Sequence, residues 1–286
     1  MSDVVANAGK PRTAVEYKRF SAFHRWIHFL VFASFTVLVF TGMPLKFDQT
    51  TWAKWVMNAT GGVTAAGIYH RLAALVLVFC WSVEMIAMAV IVIKKRGRGL
   101  FNQDSILPTK KDWRDIKGMF AWFVGRGPKP QFARFTYWEK FDFLSLVIGT
   151  AIIAVTGFMM WFPEATTRVL PGIFLNIALV IHSSEALLAV GVIFIFVHFF
   201  SAHLKPGSWP LDRVIFTGSL PVEQYKEERE LEYAERERQG TLDAVLTVKT
   251  VTWRTHVANA IWYTITVVAA AAAVAMTAFL IWWLVA

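Results

Sequence analysis

Cysteine occurs once in the 286 residues, at Cys80. A single thiol excludes an intramolecular disulfide framework, a cysteine-based zinc site and an iron–sulfur cluster held by this chain alone. Charge is scarce as well: Asp, Glu, Lys and Arg make up 17% of the residues, against about 25% in a soluble domain. P-loop, Gly-x-Gly-x-x-Gly after a strand, nucleophile elbow and His-Glu-x-x-His motifs are all missing, so nothing points to a soluble catalytic domain. What is present is apolar. Hydrophobic residues account for 56% and aromatics for 15%, with 24 Phe and 13 Trp. That balance describes a polytopic membrane protein and excludes disorder and collagen-like repeats. The net charge of +9 would suit nucleic acid in a soluble protein. Here it marks basic loops against an anionic lipid face, and no nucleic-acid partner is expected.

A helical span needs about 20 mainly apolar residues. Five runs qualify, at Trp26–Leu45, Ile68–Ile93, Phe141–Phe162, Gly172–Phe200 and Asn259–Ala286. They are apolar nearly all round, so the helical assignment rests on length and on the need to satisfy every backbone group within the segment. The first run follows some 25 polar residues and ends in Thr41-Gly42-Met43-Pro44 without a small-residue cleavage site. It therefore reads as a span, not as a secretory leader. Lys and Arg are split 25 to 4 between the two sets of connecting segments; only Lys46, Lys54, Arg71 and Arg168 fall on the poorer side. The positive-inside rule then puts the N-terminus in the cytoplasm and the C-terminus in the periplasm of a bacterial inner membrane. Within the segment before the fifth span, Val222–Gln239 is rich in acid–base pairs at helical spacing. It reads as a charged helix, either solvated or a docking surface for a partner subunit.

The first and third spans end alike, in Val39-Phe40-Thr41-Gly42-Met43-Pro44 and Ala154-Val155-Thr156-Gly157-Phe158-Met159. After each comes a short outer loop and then a helix that begins with a histidine, His70 or His182. This echo suggests two helical hairpins related by duplication. Gly42 and Gly157 are expected to let a flat ligand approach the helix closely; small-residue helix packing is the alternative reading.

Histidines inside a bilayer are costly and by default functional. With the second and fourth spans running inward, His70 and His182 share the outer level, and His28 and His198 share the inner one. His182 and His198 lie 16 residues apart, about 24 Å along an ideal α-helix and roughly 160° around it, so each faces a different neighbour. Two pairs of imidazoles, one near each membrane face, are what two bis-histidine b haems require. His24 and His203 are competing inner ligands, and His256 has no partner. A quinone near the inner haem would need proton partners, for which His24, Arg25, Glu139, Asp142 and His203 are the candidates. Glu84 lies within the second span and Glu185 one turn after His182.

The expected fold class is thus all-α integral membrane: a four-helix haem-binding core of two repeated hairpins plus a fifth C-terminal transmembrane helix. The expected segments are a cytoplasmic N-terminal stretch (1–25), a di-haem cytochrome b domain (26–206), a charged cytoplasmic segment (207–258) and the fifth span (259–286).

Five motifs carry a family resemblance. They are Arg19-Phe20-Ser21-Ala22-Phe23-His24-Arg25-Trp26-Ile27-His28 followed by Phe40-Thr41-Gly42-Met43-Pro44, Tyr69-His70-Arg71-Leu72-Ala73-Ala74, Glu139-Lys140-Phe141-Asp142, Ile181-His182-Ser183-Ser184-Glu185-Ala186-Leu187-Leu188-Ala189 and Val197-His198-Phe199-Phe200-Ser201-Ala202-His203-Leu204-Lys205-Pro206. Together, over about residues 18–206, they resemble the formate dehydrogenase gamma-subunit and prokaryotic di-haem cytochrome b family. The resemblance implies two b haems held by His28 with His198 and by His70 with His182. It further implies a menaquinone or ubiquinone site near the inner haem. The periplasmic redox partner it implies is an iron–sulfur protein or a multihaem cytochrome c, in a quinone-linked respiratory complex. The 16-residue histidine spacing, the fifth span and the charged segment depart from the formate dehydrogenase branch. A proton-relaying transporter or channel without haem, or a structural anchor, are the rival readings.

Overall fold

The computed structural model describes residues 13–98, 100–102, 105–204, 212, 214–250 and the single positions 253, 256, 257, 260, 261, 264, 267 and 271. Among these are a strand β1 (Thr13–Lys18) and helices α1 (Ala22–Lys46), α2 (Thr51–Ala59), α3 (Gly62–Lys94), α4 (Lys110–Phe123), α5 (Tyr137–Trp161), α6 (Pro163–Val169) and α7 (Ile173–Leu188). The last continues as a π-helix, Ala189–Leu204. Then follow α8 (Val214–Thr217), β2 (Ser219–Pro221), α9 (Val222–Glu228), α10 (Glu230–Arg238) and β3 (Leu246–Thr250). The expected fifth span falls largely outside the described residues.

Among the described residues, four helices are long and apolar enough to cross a membrane: Ala22–Lys46, Gly62–Lys94, Tyr137–Trp161 and Ile173–Phe199. They coincide with the first four expected spans to within a few residues at most ends. Their outward faces stay apolar, with Phe29, Leu72, Phe79, Ile86, Ile148, Val155, Leu179 and Phe196 all exposed. In lipid such faces need no protein partner, while each helix satisfies its own backbone. The chain contacts divide into two compact units. One holds 23–117 and 135–199, and the other 1–22, 118–134 and 200–286.

In the first unit, α5 starts with a capping box. Thr136 accepts from the Glu139 backbone, and Glu139 Oε2 accepts in turn from Thr136 N at 2.8 Å. Gly61 and Gly62, at φ 91° and 89°, turn the chain from α2 into α3, a backbone path that a Cβ would strain. Lys140 Nζ donates to Asp112 Oδ2 at 2.9 Å, with both residues buried, and so ties α4 to the N-terminal end of α5. Burial opposes ionisation of Asp112. The Lys140 ammonium and the Thr109 N–H and hydroxyl outweigh it and hold the carboxyl below its ordinary value.

The second unit departs from the all-α expectation. Its three strands form an antiparallel sheet in the order β2-β1-β3, with Tyr17 opposite both Leu220 and Leu246. Tyr17, Val214, Leu220 and Tyr225 make a small core, and the rings of Tyr17 and Tyr225 stack at 3.6 Å. Nor is Val222–Gln239 one solvated helix. It breaks between α9 and α10 at Arg229, at φ −135° and ψ 49°. Glu232 is buried, accepting from Tyr17 Oη at 2.9 Å and from the Arg236 and Arg134 guanidinium groups. Periodicity alone could not reveal this, because the long-range partners of Glu232 lie near the N-terminus and before α5.

Candidate functional site: two histidine pairs

The four spanning helices bring the histidines together as two pairs. The rings of His70 (α3) and His182 (α7) have centroids 6.3 Å apart. Those of His28 (α1) and His198 (the π-helical continuation of α7) are 6.1 Å apart. Regular helices measure the separation of the two levels. On α1, His28 and Thr41, the residue that holds His70, are 13 residues apart, about 20 Å at 1.5 Å per residue. On α5, Asp142 holds His198 and Thr156 holds His182; their 14-residue separation gives about 21 Å. The 24 Å and 160° expected along the fourth span assumed an α-helix throughout. From Ala189 the chain is π-helical, so its turns are wider and flatter, and that reckoning does not apply.

Hydrogen bonds engage Nδ1 in three of the four rings. Thr41 Oγ1 spends its proton on the Val37 carbonyl at 2.7 Å and meets His70 Nδ1 at 2.9 Å. It can therefore only accept from that nitrogen. Thr156 Oγ1 does the same, donating to Ile152 O at 2.8 Å and meeting His182 Nδ1 at 3.2 Å. His182 Nδ1 also meets the Ile153 carbonyl, which can only accept, at 3.0 Å. For His198, Nδ1 lies 2.6 Å from Asp142 Oδ2. In all three Nδ1 is the engaged nitrogen, so that a neutral ring carries its proton there and leaves the lone pair on Nε2, the arrangement of a metal-ligating histidine oriented by its neighbours.

The glycines of the echo have a definite place. A Cβ on Gly42 would lie 3.1 Å from His70 Cε1, and one on Gly157 would lie 3.1 Å from His182 Cε1. Thr-Gly is therefore one device used twice. Threonine takes the Nδ1 proton, and glycine leaves room for the ring. The glycines were expected to admit a flat ligand; the space each leaves is in contact with an imidazole.

Residues 19–216 match the family model described as prokaryotic cytochrome b561. The chain belongs to that family. No curated protein matches it. The protein is accordingly a multi-pass prokaryotic membrane cytochrome b, with a haem b electron-transfer role. The formate dehydrogenase gamma-subunit resemblance is finer than this match reaches.

The residues of the cytochrome fit such a group. A metal–imidazole bond of about 2.0–2.1 Å and a ring radius of about 1.1 Å on each side put the two ring centres about 6.2–6.4 Å apart across one metal. Both pairs have nearly that spacing. Among the described residues, no three His, Cys, Asp or Glu side chains converge on one metal position. Two imidazoles alone would leave the rest of a metal's coordination to a macrocycle, and His28 with His198 and His70 with His182 are the residues that would hold it. Phe194 stacks beside His198 at 6.2 Å and meets Phe35 at 5.5 Å, which gives the inner pair an apolar wall.

The quinone-site candidates separate. The Glu139 carboxylate serves the α5 capping box, and Asp142 serves His198. His24 is exposed beside Phe23, with ring centroids 5.4 Å apart, and Arg25 is partly buried on the next position of α1. The His203 side chain lies outside the described residues. Thr41, Thr156 and the Asp142–His198 bond were missed as imidazole partners in the sequence; the duplicated Thr-Gly was the signal that could have found the two threonines.

Proposed function

We propose that the protein is a di-haem b membrane subunit that moves electrons between a quinone pool at its inner, cytoplasmic side and a periplasmic redox partner. In this reading His28 and His198 hold the inner haem, and His70 and His182 the outer. Haem b supplies a one-electron ferric–ferrous couple when bound. The chain's own residues do the rest. Thr41, Thr156, the Ile153 carbonyl and Asp142 keep the Nε2 lone pairs of His70, His182 and His198 presented, and Gly42 and Gly157 let the outer imidazoles seat. His24 and Arg25, on the inner turn of α1, are the proton partners proposed for menaquinone or ubiquinone. The 25-to-4 division of Lys and Arg supports a cytoplasmic N-terminus. The partner class proposed is an iron–sulfur protein or a multihaem cytochrome c, docked near the outer haem.

The observation that carries the reading is the pair of ring spacings, 6.1 and 6.3 Å, with Nδ1 engaged in three of the four rings. Reduced-minus-oxidised spectra with pyridine haemochrome quantitation test it. About two b haems per chain are expected, with His70→Ala or His182→Ala removing one and His28→Ala or His198→Ala removing the other. One haem per chain, or a colourless preparation from cells with ample porphyrin, overturns it.

A further inference from the structure

Glu185 belongs to the fourth span, one helical turn and about 4.5 Å inward of His182. Its carboxyl rests on the backbone of α5 at the position that has no side chain: Oε1 lies 2.5 Å from where a Cβ on Gly149 would stand. Gly149 is seven residues from Asp142, at the level of His198, and seven from Thr156, at the level of His182. Measured along α5, the carboxyl is therefore seated between the two histidine levels, about 10 Å along the helix axis from the Cα of Thr156 and from that of Asp142. Among the described residues no hydrogen bond or ion pair reaches it. A carboxyl in a span without such a partner is costly, and its retention calls for a function.

We propose that Glu185 is a redox-linked proton acceptor, taking up a proton when the outer centre is reduced and releasing it on reoxidation. The proposal rests on the di-haem reading above. The physical reason is charge. An electron added close to a carboxylate in a low-dielectric interior disfavours the charged form of that carboxylate. With haem bound, one electron from the quinol pool or the redox partner would convert ferric to ferrous iron while one hydrated proton from the medium forms an O–H bond on Glu185, leaving the local net charge unchanged. Reoxidation reverses both.

Other ionisable groups on the packed elements are few. α5 has none between Asp142 and Trp161. α1 brings His24, Arg25, His28 and Lys46, and Lys46 Nζ donates to Ser183 Oγ at 3.2 Å, two residues from Glu185. α3 brings Tyr69, His70, Arg71, Cys80, Glu84 and Lys94, while the fourth span itself adds His182 and His198. Glu84 is the other carboxyl set well inside a span, since Glu139 and Asp142 lie at the start of α5. Glu185 is distinguished by its seat on Gly149 and by lying three residues from His182, where Glu84 is 14 from His70.

The test is a redox titration of purified wild type, Glu185→Gln and Glu185→Asp at a series of pH values, with haem content measured in each. The expected wild-type result is an outer-haem reduction equilibrium that weakens close to tenfold per pH unit over part of the range, as one proton per electron requires. Glu185→Asp keeps this dependence, and Glu185→Gln loses it. The same slope in Glu185→Gln as in wild type, with both haems present, overturns the proposal and leaves the di-haem reading intact. Fewer than two haems in wild type overturns both. Should Glu185→Gln lose haem, infrared difference spectra of wild type decide. A carboxylic C=O band that appears on reduction and moves in Glu185→Asp supports the proposal; no such band refutes it.

Discussion

Replacing Asp142 by asparagine tests the inner site most directly. Asp142 Oδ2 lies 2.6 Å from His198 Nδ1. A metal bound at Nε2 would be roughly 4 Å beyond that nitrogen, hence about 6–7 Å from the carboxylate, given a metal–nitrogen bond of about 2.0 Å. At an effective dielectric constant of about 20, a unit charge at that distance is worth about 2.5 kcal/mol. The carboxylate favours the ferric state, so its removal favours the ferrous state by that amount, which for one electron is on the order of 100 mV. Asparagine is nearly isosteric, and its amide oxygen can still accept from Nδ1, so the haem is retained while the charge is lost. A potentiometric titration followed in the b-haem α-band should therefore show the inner haem shifted up by about 100 mV and the outer haem unmoved. Identity of the shifted component follows from repeating the titration in His70→Ala, where only the inner haem remains. An unchanged potential, or a shift confined to the component lost with His70, refutes the assignment of Asp142 to an inner haem ligand.

Enlarging Gly42 or Gly157 to leucine forces atoms into a space where even a Cβ stands 3.1 Å from an imidazole carbon. Each variant should lose the outer haem alone, leaving about one haem per chain by haemochrome assay. Thr41→Val and Thr156→Val each remove an acceptor for Nδ1, and loss of such a partner weakens metal binding about 10–100-fold. Thr156→Val should be the milder, because the Ile153 carbonyl still holds His182; haem retention during dilution measures the difference. Lys140→Met strands the buried Asp112 and should destabilise the apoprotein by about 3–5 kcal/mol, read as a fall in Tm. Asp112 is held below its ordinary value. Its contribution to stability is therefore full at neutral pH, begins to fall near the unfolded value of 3.8 and is lost as pH drops through the folded value. Melting curves of wild type and Asp112→Asn should accordingly converge only in strong acid.

The legible part of this protein was the part governed by one-dimensional rules. Span length follows from bilayer thickness, so Trp26–Leu45, Ile68–Ile93, Phe141–Phe162 and Gly172–Phe200 were placed within a few residues at most ends of the observed helices. Counting residues inward from each membrane face was enough to group His70 with His182 and His28 with His198, because depth in a spanning helix is nearly proportional to sequence number. The sheet was illegible for the opposite reason. Thr13–Lys18 has no partner nearby in sequence, and Ser219–Pro221 is too short to announce itself. The buried Glu232, meeting Tyr17 and Arg134 across more than ninety residues, likewise looked like one more charge on a solvated helix.

The duplicated Thr-Gly lies between these cases and shows what a pattern can and cannot carry. Recurrence of the dipeptide before each outer histidine correctly marked two equivalent places, but the role assigned to it, a clearing for a flat ligand, came from the glycine alone. The pair has to be read as a unit. A helical threonine discharges its hydroxyl proton onto its own carbonyl four residues back, as Thr41 does to Val37 and Thr156 to Ile152. It then has only lone pairs to offer a neighbouring helix. An imidazole meeting it must present Nδ1–H, and its other nitrogen is left as a metal ligand. Glycine at the next position removes the methylene that would hold the ring away. Depth pairs the histidines, but it is this local chemistry that makes the outer pair competent to bind a metal, and Asp142 does for the inner pair what threonine does for the outer.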